Sequence, residues 1–174
     1  MGKRQVGCGI PGLVAMLFSV QGLSIVFGSH SFAQEDSCKS ELSRISEDIE
    51  ARLGGKIAYV YYEGGKAEGS PTSRKDRVNF QLGVKREGPQ LTNQQNRANS
   101  NILASTGLMR AYAESVIRNC ADVAQVEIGL MWSDAGSIFS LHSDEQIRED
   151  ECLPTAEHPN LDSKYLRWGA RLCS

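Results

Sequence analysis

The sequence lacks the short motifs that identify common enzymes. After residue 33 it contains no G-x-S-x-G nucleophile elbow, no phosphate-binding loop and no dinucleotide-binding fingerprint. Its five cysteines include no C-x-x-C pair, the arrangement that zinc and redox sites usually contain. The sequence therefore predicts no cofactor, leaves an enzymatic function uncertain and favours a non-enzymatic one.

Histidine is also scarce. Only His30, His142 and His158 are present, and His30 falls in the N-terminal segment that we expect to be removed. Two histidines exclude a three-histidine metal centre, and neither H-x-H nor H-E-x-x-H spacing occurs. Two histidines with the carboxylate of Asp144 or Glu145 are in principle enough for a metal site, but we predict no metal ligands.

A long apolar run occurs only at the N terminus. A basic start is followed by apolar residues over 13–27 and by small residues at Ser31 and Ala33, which is typical of a secretory signal peptide. The run is shorter than the roughly 20 apolar residues that span a membrane. We therefore predict a cleaved signal peptide over residues 1–33, an exported chain beginning at Gln34, and no stable membrane span after cleavage.

The exported chain has no excess of positive charge. Of the 19 basic residues, Lys3 and Arg4 lie in the signal peptide, so 17 remain against 21 acidic residues, a net charge of −4. Nucleic-acid-binding domains are usually clearly basic, so we expect no nucleic-acid partner. Residues 34–174 are enough for one domain with a sizeable core.

Four cysteines follow the predicted cleavage site. An even number in an exported chain indicates disulfide bonds, and the compartment is periplasmic, extracellular or lumenal. Four cysteines allow three pairings, among which the sequence does not decide. We favour Cys152 with Cys173, which closes a short loop, and Cys38 with Cys120, which ties two helices together.

Two segments show helical periodicity. Asp36 or Ser37 can cap a first helix, and Gly54-Gly55 can end it. Ser105 or Thr106 can cap a second helix with a wide apolar face. The apolar positions are Cys38, Leu42, Ile45, Ile49 and Leu53 in the first, and Leu108, Met109, Tyr112, Ala113, Val116, Ile117 and Cys120 in the second.

The remaining regular pattern predicts strands. Segments 57–62 and 78–82 have the composition and alternation of two paired strands. After the second helix, residues 126–132 alternate, 138–141 form another strand, and a third ends at Cys152, which predicts a three-stranded meander. The alternation places Trp132 inside the first of these strands.

Two polar segments interrupt this pattern. We predict that 64–77 is a long mobile hairpin loop, too polar to pack into a core, and that 85–101 is a second polar loop. Each has a net charge of +2, and the loops can present a basic surface to lipid headgroups, an acidic polysaccharide or an acidic protein. The competing interpretation is a solvated surface without a partner. The candidate binding residues are Lys66, Arg74, Lys75, Arg77, Lys85, Arg86 and Arg97.

Two further candidate sites are weaker. Tyr59, Tyr61 and Tyr62 can form a stacking platform for a sugar or a base, although we favour a core position for strand tyrosines. Ser140 and His142 lie two residues apart, and with nearby carboxylates they define the alternative function, an envelope hydrolase.

The C-terminal half resembles small exported cyanobacterial proteins of unassigned function. The similarity covers residues 102–174 and depends on the apolar pairs of the second helix, Asn119-Cys120, Cys152, Trp168-Gly169 and Cys173. The resemblance implies export and a shared fold, and it transfers no catalytic residues.

Together these observations predict a small single α+β domain. We expect two helices packed on a mostly antiparallel sheet of about five strands, stapled by disulfides. The predicted function is that of an exported, disulfide-stabilised, non-enzymatic binding or interaction module.

Overall fold

The computed structural model describes residues 30–157 and 166–173, with side chains from Glu35 onward. The fold is α+β, as predicted. A π-helical turn, Asp48–Arg52, continues the first helix. The helices are α1 (His30–Glu47), α2 (Asn93–Ala104) and α3 (Thr106–Asn119), and the strands are β1 (Ile57–Glu63), β2 (Asp76–Leu82), β3 (Val123–Leu130), β4 (Gly136–Leu141), β5 (Ile147–Glu149), β6 (Glu151–Pro154) and β7 (Ala170–Cys173).

Five strands form one sheet in the order β1-β2-β3-β4-β5. All neighbours are antiparallel except β2 and β3, which run parallel. A parallel pair needs a long crossover connection, and α2 and α3 supply it. The strands β6 and β7 form a separate parallel pair, which we call the C-terminal ribbon.

The hydrophobic core lies on one face of the five-stranded sheet. Complete burial of a large apolar side chain stabilises a fold by about 1.5 to 3 kcal/mol, so this face accounts for much of the stability. Alternate residues of β2, β3 and β4 are fully buried there: Val78, Phe80, Leu82, Val126, Ile128 and Phe139. The same cluster includes helical side chains: Ile45, Ile49, Met109, Tyr112, Val116 and Ile117.

The first helix begins earlier than its predicted cap at Asp36. No glycine or proline occurs between His30 and Leu53, so nothing in the chain prevents the helix from starting at His30. Its predicted end is confirmed, because Gly54 follows with φ +70°, a conformation that favours glycine.

A third helix, α2, occupies much of the segment predicted as the second polar loop. Its N terminus has a capping box: Gln95 N donates to Thr92 Oγ1 at 3.2 Å, and Thr92 N donates to Gln95 Oε1 at 3.0 Å. The loop prediction over 85–101 is therefore wrong from residue 93 onward. The buried residues of α2 include only two apolar side chains, Ala98 and Ile102, and two are too few to indicate a helix by periodicity.

A buried asparagine positions α2. Asn99 Oδ1 accepts a hydrogen bond from Lys56 N at 2.9 Å. A Cβ added to Gly55 would lie 2.9 Å from both Asn99 Oδ1 and Ile102 Cδ1, so any other residue there would displace these side chains. The helix is thus located by one polar contact and one close approach.

The segment between β1 and β2 packs against the rest of the domain. Ala67 is fully buried. Arg74 Nη1 donates to the carbonyl oxygen of Ile117 at 2.5 Å, and the carbonyl oxygens of Cys120 and Val123 are both 3.4 Å away. The prediction that this loop is too polar to pack is wrong, because the guanidinium group satisfies main-chain acceptors around the end of α3.

The predicted meander is correct for β3, β4 and β5 but not for its continuation to Cys152. The break lies at Asp150, whose side chain is buried and whose N–H donates to Ile138 O at 2.8 Å. Beyond it β6 leaves the sheet and pairs with β7. The ribbon is also anchored by Trp168, whose Nε1 donates to Leu141 O at 3.1 Å.

The described part of the chain contains two disulfide bonds. They join Cys38 with Cys120 and Cys152 with Cys173, which are the pairs that we favoured from the sequence. The first links α1 to the end of α3 and the second closes the C-terminal ribbon.

Two predictions fall on other parts of the chain. The predicted signal peptide lies outside the described residues except for the backbone of 30–33, and His158 lies outside them as well. Within the described ranges, no helix is long and apolar enough to cross a membrane.

Candidate functional site

The sheet face opposite the core is polar and aromatic. Strand pairing places Tyr61, Asn79 and Glu127 in one row across three strands, and Tyr59, Gln81 and Gly129 in the next row. Gln81 Nε2 donates to Asn79 Oδ1 at 2.6 Å, which orients both amides. We call these six residues the polar face.

Two tyrosines form a stacked pair on the polar face. The ring centroids of Tyr59 and Tyr61 are 5.1 Å apart with an interplanar angle of 20°. Tyr61 is 42% exposed and Tyr62, on the other face of β1, is 49% exposed. We favoured a core position for these tyrosines, and that interpretation is wrong. The stacked pair lies on the face opposite the core, and Tyr62 is exposed.

A basic loop follows β2 at the same end of the sheet. Lys85 Nζ lies 4.9 Å from the centroid of Tyr59, within the range of a cation–π contact. Two cavities of about 430 and 380 Å³ flank this loop and share Lys85 and Arg86. They lie where the carboxyl ends of the parallel strands β2 and β3 meet, the usual position of ligand sites between parallel strands.

An exposed tryptophan borders the larger cavity. Trp132 follows β3 instead of belonging to it, is 73% exposed and has φ +63°. Its predicted place within an alternating strand is wrong, because β3 ends at Leu130. A non-glycine residue in this conformation is uncommon and is often found at functional sites. We call Tyr59, Lys85, Arg86, Gly88, Leu91, Asn96 and Trp132 the Lys85 groove.

The structure brings together only two of the seven candidate basic residues, Lys85 and Arg86. Arg74 is used at the end of α3, and Lys75 Nζ donates to Ser70 O at 2.9 Å. Arg77 Nη1 is 3.8 Å from Glu127 Oε2.

The other two candidates lie apart from the groove. Arg97 lines a cavity of about 600 Å³ near Leu53 and Leu108, and Lys66 is exposed on the loop after β1. The seven basic residues therefore do not form one surface. Lys85 and Arg86, in the Lys85 groove, are the pair that stays together.

A buried polar cluster borders the polar face next to Arg77. Gln125 Nε2 donates to Ser140 Oγ at 2.9 Å and to Asp150 Oδ2 at 3.2 Å. Burial raises the pKa of Asp150 to about 6, although the Ser140 hydroxyl and the guanidinium groups of Arg77 and Arg171 favour its charged form.

Glu127 lies beside this cluster. Burial also raises the pKa of the Glu127 carboxyl, while Arg77 acts in the opposite direction. Among the described residues, Gln125 Oε1, Asp150 Oδ1 and the Nε atoms of Arg77 and Arg171 are buried without a hydrogen-bond partner. Sequence reasoning missed this cluster because its members come from separate segments of the chain and match no motif.

The residues of the hydrolase hypothesis are not arranged as a catalytic pair. Ser140 is fully buried and accepts a hydrogen bond from Gln125, so its hydroxyl is not accessible to a substrate in this conformation. A Cβ at Gly169 would lie 2.9 Å from His142 Cε1, so the imidazole packs against the turn that precedes β7. Burial, with the nearby charge of Arg148, lowers the pKa of His142.

Within residues 30–157 and 166–173, no group of three or more histidine, cysteine, aspartate or glutamate side chains is arranged to hold a metal ion.

Comparison with known proteins gives no relative from which a role can be transferred. No family model matches the chain, and no curated protein or solved structure is significantly similar to it. The function must therefore be argued from the Lys85 groove and the polar face themselves.

Proposed function

We propose that this chain is an exported, disulfide-stabilised, non-enzymatic binding module whose ligand is an anionic envelope component or protein. The binding site is the Lys85 groove. The observation that carries the proposal is the position of the Lys85 ammonium over the Tyr59 ring, beside Arg86, in a pair of adjoining cavities.

Charge favours an anion at this position. Among the described residues, neither Lys85 nor Arg86 forms an ion pair with an acidic side chain within 4 Å. Glu87 also lines the smaller cavity, so the two basic residues leave one net positive charge there. A partly enclosed cationic site attracts anions more strongly than the same charges scattered over a surface.

The aromatic side chains favour a ligand with flat or apolar surfaces as well as charge. Tyr59 and Trp132 stand on the two sides of the loop that contains Lys85. Aromatic residues bury a large area with few rotatable bonds, which is why they are common in binding sites.

Export and the arrangement of the fold complete the proposal. The two disulfides are consistent with an oxidising compartment and with a signal peptide that directs the chain out of the cytoplasm. We take the helices to pack on one face of the sheet, as the shared core cluster supports, so that they leave the other face uncovered around Tyr61, whereas Gln125 and Ser140 farther along that face are buried.

A charge-matched pair of variants tests the site. The full-length chain is exported with its disulfides formed, and its binding to heparin and to inorganic polyphosphate is measured between 50 and 300 mM salt. We expect salt-sensitive binding that weakens by about tenfold in Lys85→Ala/Arg86→Ala, because the groove loses both cations.

The control is Lys39→Ala/Lys66→Ala, which removes the same charge from exposed positions outside the groove. It should bind within about twofold of wild type, since distant exposed charges are screened. Equal losses in the two double variants, or no binding of the wild type to either polymer, would refute the proposed function.

A further inference from the structure

We infer that the anionic ligand is an acidic glycan, an oligosaccharide that carries carboxylate or sulfate groups. Its charged group would occupy the Lys85 groove and its sugar rings would lie on the polar face. This inference rests on the proposed function and adds the ligand's chemical class.

The first argument is the shape of the aromatic surface. The ring centroids of Tyr59 and Tyr61 are 5.1 Å apart and the rings are nearly parallel, so each ring covers one side of the other, and Tyr61, which is 42% exposed, keeps its other side open at the edge of the sheet. The C–H faces of a sugar ring are flat and weakly polar, so they pack against an aromatic surface while the ring hydroxyls point sideways. Lys85 contacts the Tyr59 ring of the same stack.

The second argument is the chemistry beside the tyrosines. Asn79 is opposite Tyr61 and Gln81 is opposite Tyr59 in the strand pairing. An amide side chain both donates and accepts hydrogen bonds, as a hydroxyl group does, so a row of amides suits a ligand with many hydroxyls. A simple polyanion would offer acceptors only.

The third argument concerns Glu127, in the next strand. Its carboxylate is close to Arg77, which offsets its negative charge, and it extends the hydrogen-bonding surface beyond Asn79. Gly129 lies in the neighbouring row, where a Cβ would be 3.8 Å from Glu127 Oε1 and 3.9 Å from Gln81 Nε2, so the two polar side chains meet beside it. The polar face is therefore continuous from the tyrosines to the third strand.

A nucleobase is the competing occupant of stacked tyrosines. Nucleic-acid sites usually track several phosphates with a basic stripe, whereas only Lys85 and Arg86 lie at this end and the chain after residue 33 has 17 basic against 21 acidic residues. An acidic glycan needs only a few charges and gains the rest of its affinity from stacking and hydrogen bonds.

The experiment compares four probes on the full-length, exported and oxidised protein. They are oligogalacturonate and heparin oligosaccharide as acidic glycans, inorganic polyphosphate as an anion without sugar rings, and oligothymidylate as a stacking polyanion. We expect both acidic glycans, or the one whose acid spacing fits, to bind at least about tenfold more tightly than polyphosphate at the same salt concentration.

Tyrosine variants separate stacking from charge. Tyr61→Ala should weaken binding of the acidic glycan by about fivefold to tenfold, the range typical of one aromatic contact, and should change polyphosphate binding by less than twofold. Tyr62→Ala is the matched control, since Tyr62 is also about half exposed but lies on the other face of the strand. Tyr61→Phe keeps the ring and should retain glycan binding, which guards against an effect on folding.

The outcomes distinguish the two proposals. Polyphosphate binding as tight as glycan binding, with no effect of Tyr61→Ala, would overturn the glycan inference and leave the anion-binding function intact. Tightest binding to oligothymidylate would replace the glycan with nucleic acid. No binding to any probe would overturn both proposals.

Discussion

The two faces of the five-stranded sheet differ in what their side chains do. On the core face, Phe80 and Ile128 are fully buried among apolar neighbours. One residue earlier on the same strands, Asn79 and Glu127 project from the other face and make polar contacts. Because side chains alternate along a strand, neighbouring positions can serve stability and binding separately.

This division also affects the covalent links. Cys38 and Cys120 belong to the core cluster on the helical side, whereas Cys152 and Cys173 close the ribbon that borders the polar face. The comparison implies that substitutions on the core face change the free energy of unfolding, and that substitutions on the polar face change binding. The following predictions test that division.

The largest expected effect is from the core face. Phe80→Ala should lower the free energy of unfolding by about 3 to 5 kcal/mol, because it removes a buried ring and leaves a cavity. Tyr61→Ala, on the polar face, should lower it by no more than about 1 kcal/mol. Urea unfolding of both variants with the disulfides intact measures the difference, and similar losses would contradict the division between faces.

The disulfides come next. Replacing Cys38 and Cys120 together by alanine should cost about 4 kcal/mol, because the bond closes a long loop with a sequence separation of 82. The same replacement of Cys152 and Cys173 should cost about 3 kcal/mol, since their separation is 21. Thermal and urea unfolding of the two double variants should preserve this order, and the reverse order would show that the ribbon contributes more stability than the helical side.

Asp150 provides an exception on the polar side. The pKa of Asp150 is raised to about 6 in the folded state, so the folded state holds this proton more tightly than the unfolded state does. The stabilisation that results is fully present below about pH 4 and is lost as the pH rises through about 6. The free energy of unfolding of Asp150→Asn, measured relative to that of wild type, should therefore rise by about 2 to 3 kcal/mol between pH 4 and pH 7. Urea unfolding at several pH values measures the difference.

Ser140→Ala is the control for that experiment. It keeps the Asp150 carboxyl but removes a hydroxyl that favours its charged form. The fall in stability with rising pH should therefore be at least as steep as in wild type. A difference between Asp150→Asn and wild type that does not change with pH would show that the carboxyl does not titrate as described.

The smallest expected effect concerns the loop before β2. Arg74→Ala should cost about 1.5 to 2 kcal/mol, because it removes a charged donor from main-chain carbonyl groups around the end of α3. Lys66→Ala, in the exposed part of the same loop, should change stability by less than about 0.5 kcal/mol. If equilibrium unfolding gives equal values for the two variants, the loop is not anchored through Arg74.

Prediction from the sequence succeeded where one apolar pattern defined an element. The face of α3 from Met109 to Ile117 and the alternation in β2 each required only local spacing. The pattern failed for α2, whose buried face depends on Asn99 and on the close approach of Gly55. It also failed for Trp132, because alternation alone does not show where a strand ends.

The candidate site divides in the same way. Lys85 and Arg86 were among the candidate residues because a charged loop is visible in the sequence, but five other basic residues were equally visible. Their separation depended on tertiary contacts, such as that of Arg74 with Ile117. The stacked tyrosines were recognised as a possible platform, but their position on the face opposite the core was not predicted.

The sequence by itself determined the fold class, the main helix and strands, and a set of cysteines suited to disulfide bonds. These follow from local periodicity and from counts of residues, which do not depend on distant parts of the chain. Only the tertiary structure decided which charges are used internally, where α2 lies and which residues surround Lys85. Those outcomes depend on contacts between segments far apart in the chain, such as the one between Lys56 and Asn99, and no local pattern records such contacts.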